Sequence, residues 1–243
     1  MPSSGSARRP AVSILRSVIA IAISAAIVGQ LIVSVAFWQA NGVQHLGISV
    51  WNFFSFFTIQ SNLLTIVVFA VGAVMMLRSR EPESVRWTTF RACVATYMII
   101  TGIVYNLLLR GIELPQGSTL EWSNEILHLV APIAVLLDWL FAPGRQRLDF
   151  SRIAIIVIFP IVWIAYTLIR GPFIPSEIAG TSYWYPYPFL DPNLPGASYW
   201  TVAGYSVAIA IAIIVVGLGV IFVSRRMRPL ATESTDSTGR SAV

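Results

Sequence analysis

The stretch Ser17-Val-Ile-Ala-Ile-Ala-Ile-Ser-Ala-Ala-Ile-Val-Gly-Gln-Leu-Ile-Val-Ser-Val-Ala-Phe-Trp38 contains no charged residue. A bilayer is crossed by about 20 apolar residues in a helix, and this run meets that length. It exceeds the apolar core of a secretion signal, about 7–15 residues, and no convincing small-residue cleavage site follows it. The run therefore reads as a retained first helix. Arg8-Arg9 just before it resembles a twin-arginine signal, but no folded domain for export follows.

The rest of the 243-residue chain repeats the pattern. It is 56% hydrophobic and only 11% charged, against about 25% charged in soluble domains. Six spans are expected near 16–38, 51–77, 89–109, 121–142, 152–170 and 199–223. Backbone groups in lipid must be satisfied within the span, and no alternating barrel pattern is present, so these read as helices. The expected fold is an all-α, six-helix transmembrane bundle forming one domain. Polar segments at 1–15 and 224–243 have nothing to bury and are expected to be disordered.

All sixteen basic residues are arginine, and they segregate. Fourteen fall in the two tails and in the second and fourth connections; Arg110 and Arg170 stand on the opposite side. The positive-inside rule then puts both termini in the cytoplasm of a multi-pass cell-membrane protein. The net charge of +5 thus reflects topology and predicts no nucleic-acid partner. Cys93 is the only cysteine, which excludes an internal disulfide and a cysteine metal cluster. Two histidines, one of them within a span, argue against a bis-histidine haem. Neither a zinc-protease helix, a phosphate loop nor a Gly-x-Ser-x-Gly elbow occurs, so no cofactor or metal is expected.

One connection is long. Gly171 to Ser198 carries six prolines among aromatics, including Tyr185, Tyr187 and Phe189, with the acid Asp191 shortly after them. Prolines at that density forbid a continuous helix. The segment suits either an interfacial aromatic belt or a lid.

Polar residues gather toward the side opposite the arginines. Thr58 lies seven residues past Trp51, and His128 seven past Glu121, which places both about 10 Å below the same boundary. Glu121, Asn124, Glu125 and His128 share one helix face, as do Trp51, Ser55, Thr58, Asn62 and Thr65. Pro132 lacks the N–H that the His128 carbonyl would otherwise accept, so a kink is expected at the histidine. Ionisable groups inside hydrocarbon are costly and usually functional, although an interhelical hydrogen bond would also explain His128. Thr58 alone is a weaker signal, since threonine in a membrane helix often bonds its own backbone. Glu125 is placed to orient His128 or to titrate, Asp138 to form an ion pair near the arginine-rich end, and His45 to be solvated. Asn62 and Asn124 equally suit polar contacts between helices.

Three motifs in order, Phe56-Phe-Thr58-Ile-Gln-Ser-Asn62-Leu, Asn124-x-x-x-His128 with the acid Asp138 beyond, and Trp184-Tyr-Pro-Tyr-Pro188-Phe-Leu-Asp191, resemble the androgen-induced gene family of multi-span membrane proteins. The resemblance covers residues 50–215. It implies threonine hydrolases that cleave fatty acid esters of hydroxy fatty acids, with Thr58 and His128 as the catalytic pair. Ile-Gln-Ser-Asn after the threonine is more polar here than in animal members.

The expected function is hydrolysis of a lipid-like ester from an outward-opening pocket. His128 would act as base on Thr58, with Asn124, Asn62 or Gln60 as oxyanion donor and Glu125 orienting the imidazole. Two other classes fit the same residues: a transporter or lipid-binding protein using Glu125 and His128, and a membrane assembly partner presenting a polar face.

Overall fold

The computed structural model describes residues 4–79, 81–112 and 118–226, with backbone alone for 4–8. The regular elements of the described chain are all helices, without a strand. In order come α1 (Ser4–Ala40), α2 (Leu46–Ser55), α3 (Phe57–Arg78), α4 (Val85–Val104), α5 (Glu121–Glu125), α6 (Ala131–Phe141), α7 (Ile153–Arg170) and α8 (Tyr199–Arg226). A π-helical turn, Tyr105–Leu109, extends α4, and another, Ile126–Val130, joins α5 to α6 into one rod. Six segments are long and apolar enough to cross a membrane: Arg9–Ala40, Phe57–Arg78, Val85–Leu109, Glu121–Phe141, Phe150–Phe173 and Tyr199–Arg226.

Helix α4 is central, packing against α3, α6 and α8, while α1 lies along α3. The outer faces are apolar: Ile14, Val18, Ile21, Val28 and Ile32 of α1 are all exposed, as expected for a surface meant for lipid tails.

Three features differ from those expected. Residues 4–15, expected as part of a disordered tail, belong to α1. Ser13 donates to the Ala73 carbonyl at 3.1 Å and Arg9 to the Ser79 carbonyl, so the first turns are docked on α3. At the other end Ser224, Arg225 and Arg226 are also helical, with Arg225 donating to the Leu148 carbonyl at 2.9 Å; the remainder of that expected tail lies outside the described residues. The second expected span, 51–77, is interrupted. Phe56 is extended (φ −64°, ψ 133°), and α3 starts only at Phe57. Ser55 is held from outside, its carbonyl accepting from Trp163 at 2.9 Å and its hydroxyl bonding to Tyr166 at 2.9 Å. No glycine or proline marks the break in the sequence.

The arginine-rich end is closed by a buried charge cluster. Arg16 donates to both oxygens of Asp138 (2.7 and 3.0 Å), and Arg91 bridges Asp138 (2.7 Å) and Glu83 (2.5 Å). Asp138 thus makes the ion pairs expected of it, linking α6 to α1 and α4. Arg145 packs over Trp139 beside the cluster.

Candidate active site

Thr58 is the second residue of α3, and the break at Phe56 decides its chemistry. First-turn N–H groups of a helix have no carbonyl behind them to bond. The N–H of Thr58 instead donates to the Tyr187 hydroxyl at 3.3 Å, and the Thr58 hydroxyl lies 3.3 Å from the same oxygen. Both side chains are buried, Thr58 at 7% exposure and His128 at 8%.

The Thr58 Oγ1 is 3.2 Å from His128 Nε2. His128 Nδ1 is 2.9 Å from the Asn124 carbonyl oxygen, one turn earlier. A carbonyl can only accept, so Nδ1 carries the proton of the neutral ring and Nε2 offers a lone pair. The Thr58 hydroxyl must then donate to Nε2. The Tyr187 hydroxyl is left to donate to the Thr58 oxygen.

The backbone around His128 follows from Pro132. The His128 carbonyl, denied the proline's N–H, accepts from the Asn106 side chain at 3.3 Å, and the turn widens so that the Ala131 N–H reaches the Ile126 carbonyl. The kink expected at this point takes the form of a π-turn, a common device at functional sites. The π-turn of α4 lies beside it, and its Tyr105 stacks on the imidazole (centroids 3.9 Å apart, 21° between planes). The Asn124 amide donates to the Tyr105 hydroxyl.

Other expected site residues fall elsewhere. Glu125 does not touch His128; it forms a two-point pair with Arg110 (2.8 and 3.1 Å), and the Asn124 carbonyl orients the ring instead. Gln60 donates to the Phe54 carbonyl at 3.0 Å, away from Thr58 Oγ1. The Asn62 amide is spent on the carbonyls of Thr58 (2.9 Å) and Leu127 (3.2 Å), bracing α3 against the π-turn as a polar contact between helices. With the Asn124 amide on Tyr105, none of the three expected amide donors faces the threonine oxygen. Asp191 closes a local turn by accepting from the Asn193 backbone and side chain.

The 174–198 segment folds back over the bundle. Tyr187 is buried under it, stacked on Phe189 (5.2 Å, 14°), and Phe189 leans on Tyr205. Tyr185 packs so closely against Gly171 that a Cβ there would collide with its ring. Arg170, sandwiched among Trp51, Tyr166 and Trp184, donates to Asn52 at 2.7 Å and fastens the segment to α2. Glu177 accepts from the backbone N–H groups of Gln44 (2.6 Å) and His45 (2.9 Å) and from the His45 ring (2.9 Å). His45, expected to be merely solvated, is thus a partner in that anchor.

The sequence sets Tyr105 and Asn106 only at the polar outer end of the third span, without tying them to His128, and does not reveal the direct contact of Tyr187 with Thr58. The proline lacking a donor at 132 was the signal for Asn106. Among the described residues no group of three His, Cys, Asp or Glu side chains is arranged to hold a metal. No family model, curated protein or solved structure matches this chain.

Proposed function

We propose that the chain is an integral membrane hydrolase of lipid-like esters, akin to the threonine hydrolases it resembles. One observation carries this reading. A hydroxyl that is otherwise inert donates to a ring nitrogen whose partner nitrogen is committed to a carbonyl, which is the arrangement of nucleophile, base and orienting group.

In the reaction the Thr58 oxygen attacks the ester carbonyl carbon while its proton passes to His128 Nε2. The tetrahedral intermediate collapses, and the leaving alkoxide takes that proton to depart as the alcohol. Water then attacks the acyl-threonine, gives a proton to His128, and the Thr58 oxygen recovers it as the acid is released. The oxyanion has two donors at hand, the Thr58 N–H at the positive end of α3 and the Tyr187 hydroxyl. The arginine-rich end, with both termini, faces the cytoplasm of the cell membrane, and the site lies under the outer leaflet.

Thr58→Ala and His128→Ala, each purified as a folded protein, are expected to lose ester turnover and labelling by a fluorophosphonate probe, while Thr58→Ser keeps both. Turnover persisting in either alanine variant refutes the pairing. Ligand binding that varies with pH, with no product formed, points instead to a transporter or lipid-binding protein.

A further inference from the structure

Two cavities meet at Thr58, and their chemistry is unlike. One, about 200 Å³, lies among α3, α4, α7 and α8. The other, about 320 Å³, runs toward α1 and the start of α5. Both are lined by Thr58, Tyr105 and Tyr187, so the candidate nucleophile stands at their junction.

The first cavity is walled by aliphatic side chains such as Val157, Ile164, Ile209 and Ile213. Its polar groups away from Thr58 are already occupied: Thr101 bonds to Ser61 (3.1 Å), and Ser206 donates to the Val202 carbonyl (2.8 Å). A ligand there meets nothing to hydrogen-bond. The second is lined by Thr119, Glu121 and His128, and by Gln30 and Asn124, whose amides are held by Ser34, Ser118 and Leu120 and by Tyr105. The nearby Arg110 is committed to Glu125, so among the described residues no cation is set out on that wall for an anionic group.

The apolar cavity also has a side opening. Helices α7 and α8 meet closely at Gly217, where a Cβ would come within 2.8 Å of Ile153. Farther along, Ile161 and Ile214 line the cavity and yet are 58% and 41% exposed on the bundle's outer face. The lining of α8 from Ser206 to Ile214 runs about 12 Å along the helix, room for one aliphatic chain.

Building on the hydrolase reading, we propose that the substrate is an acyl ester of a small uncharged polar alcohol. Its single aliphatic chain enters sideways between α7 and α8 and fills the apolar cavity. Its alcohol half occupies the polar one, and the ester carbonyl lies at Thr58. An ester joining two long aliphatic halves would have to bury the second against the Glu121 carboxylate, stripping it of water.

The test uses the full chain in nanodiscs. Monolauroyl glycerol is expected to show a kcat/KM at least tenfold above that of a lauroyl ester of a long-chain hydroxy acid. Ala210→Trp, which fills the apolar cavity, should lower the ratio of lauroyl to acetyl ester turnover at least tenfold. Equal rates on the two lauroyl esters, or an unchanged ratio, overturn the proposal while leaving the hydrolase intact. A photoactivatable lauroyl glycerol is also mapped on Thr58→Ala, a readout independent of turnover. Adducts on Ile161, Ile209 or Ile213 support the chain's placement, and adducts confined to the polar cavity overturn it. Such α7 and α8 adducts without hydrolysis of any ester would overturn the hydrolase reading and uphold only the placement of the chain.

Discussion

The imidazole of His128 lies flat against the ring of Tyr105, 3.9 Å between centroids. Asn124 joins the two, its carbonyl facing the imidazole Nδ1 and its amide donating to the tyrosine hydroxyl. The ring is therefore fixed in plane and in tautomer by one residue that touches both aromatics.

Tyr105→Leu removes the stack. An aromatic pair is worth about 0.5–1.5 kcal/mol, so ester turnover should fall roughly twofold to tenfold in kcat with little change in KM. Tyr105→Phe keeps the stack and should lose less. Steady-state kinetics on folded variants checks both, and a fall carried by KM alone would refute a positioning role.

Tyr187→Phe deletes one hydroxyl that serves two contacts with Thr58. A net hydrogen bond contributes about 0.5–1.5 kcal/mol. Turnover should drop about threefold to tenfold, with fluorophosphonate labelling slowed in parallel. An unchanged rate would show that the phenol is only a plug.

Pro132→Ala returns an N–H to the His128 carbonyl and removes the reason for the widened turn. Thermal stability in detergent should hold or rise, while turnover falls about a hundredfold as the imidazole leaves Thr58, the scale expected for an ångström of misplacement. Activity at the parent level would mean that the π-turn is not what aims the ring.

Asp138→Ala strands Arg16 and Arg91 without their shared carboxylate. Breaking a buried pair costs about 3–5 kcal/mol, and unfolding in detergent should move to clearly lower temperature. Asp149→Ala, whose contact with Arg225 is 3.6 Å and largely exposed, should change little.

Glu177 titrates below the ordinary glutamate range, held there first by the Gln44 N–H and then by the N–H and ring of His45. With its folded value depressed, its contribution is fully present above the unfolded value, about 4.3, and is lost as pH falls through the lowered folded value. Amide exchange at Gln44 and His45 should stay slow near neutrality and quicken only under strong acid. Glu177→Gln should make it fast at every pH.

The six spans were readable because hydrocarbon admits few alternatives for a backbone. Equal depth below two interfacial residues puts Thr58 and His128 at one level, but it is the family resemblance that singles out Thr58 as the nucleophile. The Phe56 break was not, since tertiary contacts from Trp163 and Tyr166 hold it, with no local residue to announce it. Glu125 differs for a similar reason: helix periodicity puts it on one face with His128, but its partner Arg110 arrives from another rod. Hydrogen-bond donors chosen by residue type failed where the amides of Gln60 and Asn62 were satisfied by nearby carbonyls. Ser13 falls inside the expected tail because its partner, Ala73, is far along the chain.

Trp163 walls the aliphatic chamber with its ring and clasps the Ser55 carbonyl with its indole N–H. One side chain is therefore both lining and latch. Trimming it to admit a bulkier guest would also release the bend that sets the nucleophile's heading, so capacity and aim cannot be engineered independently at that position.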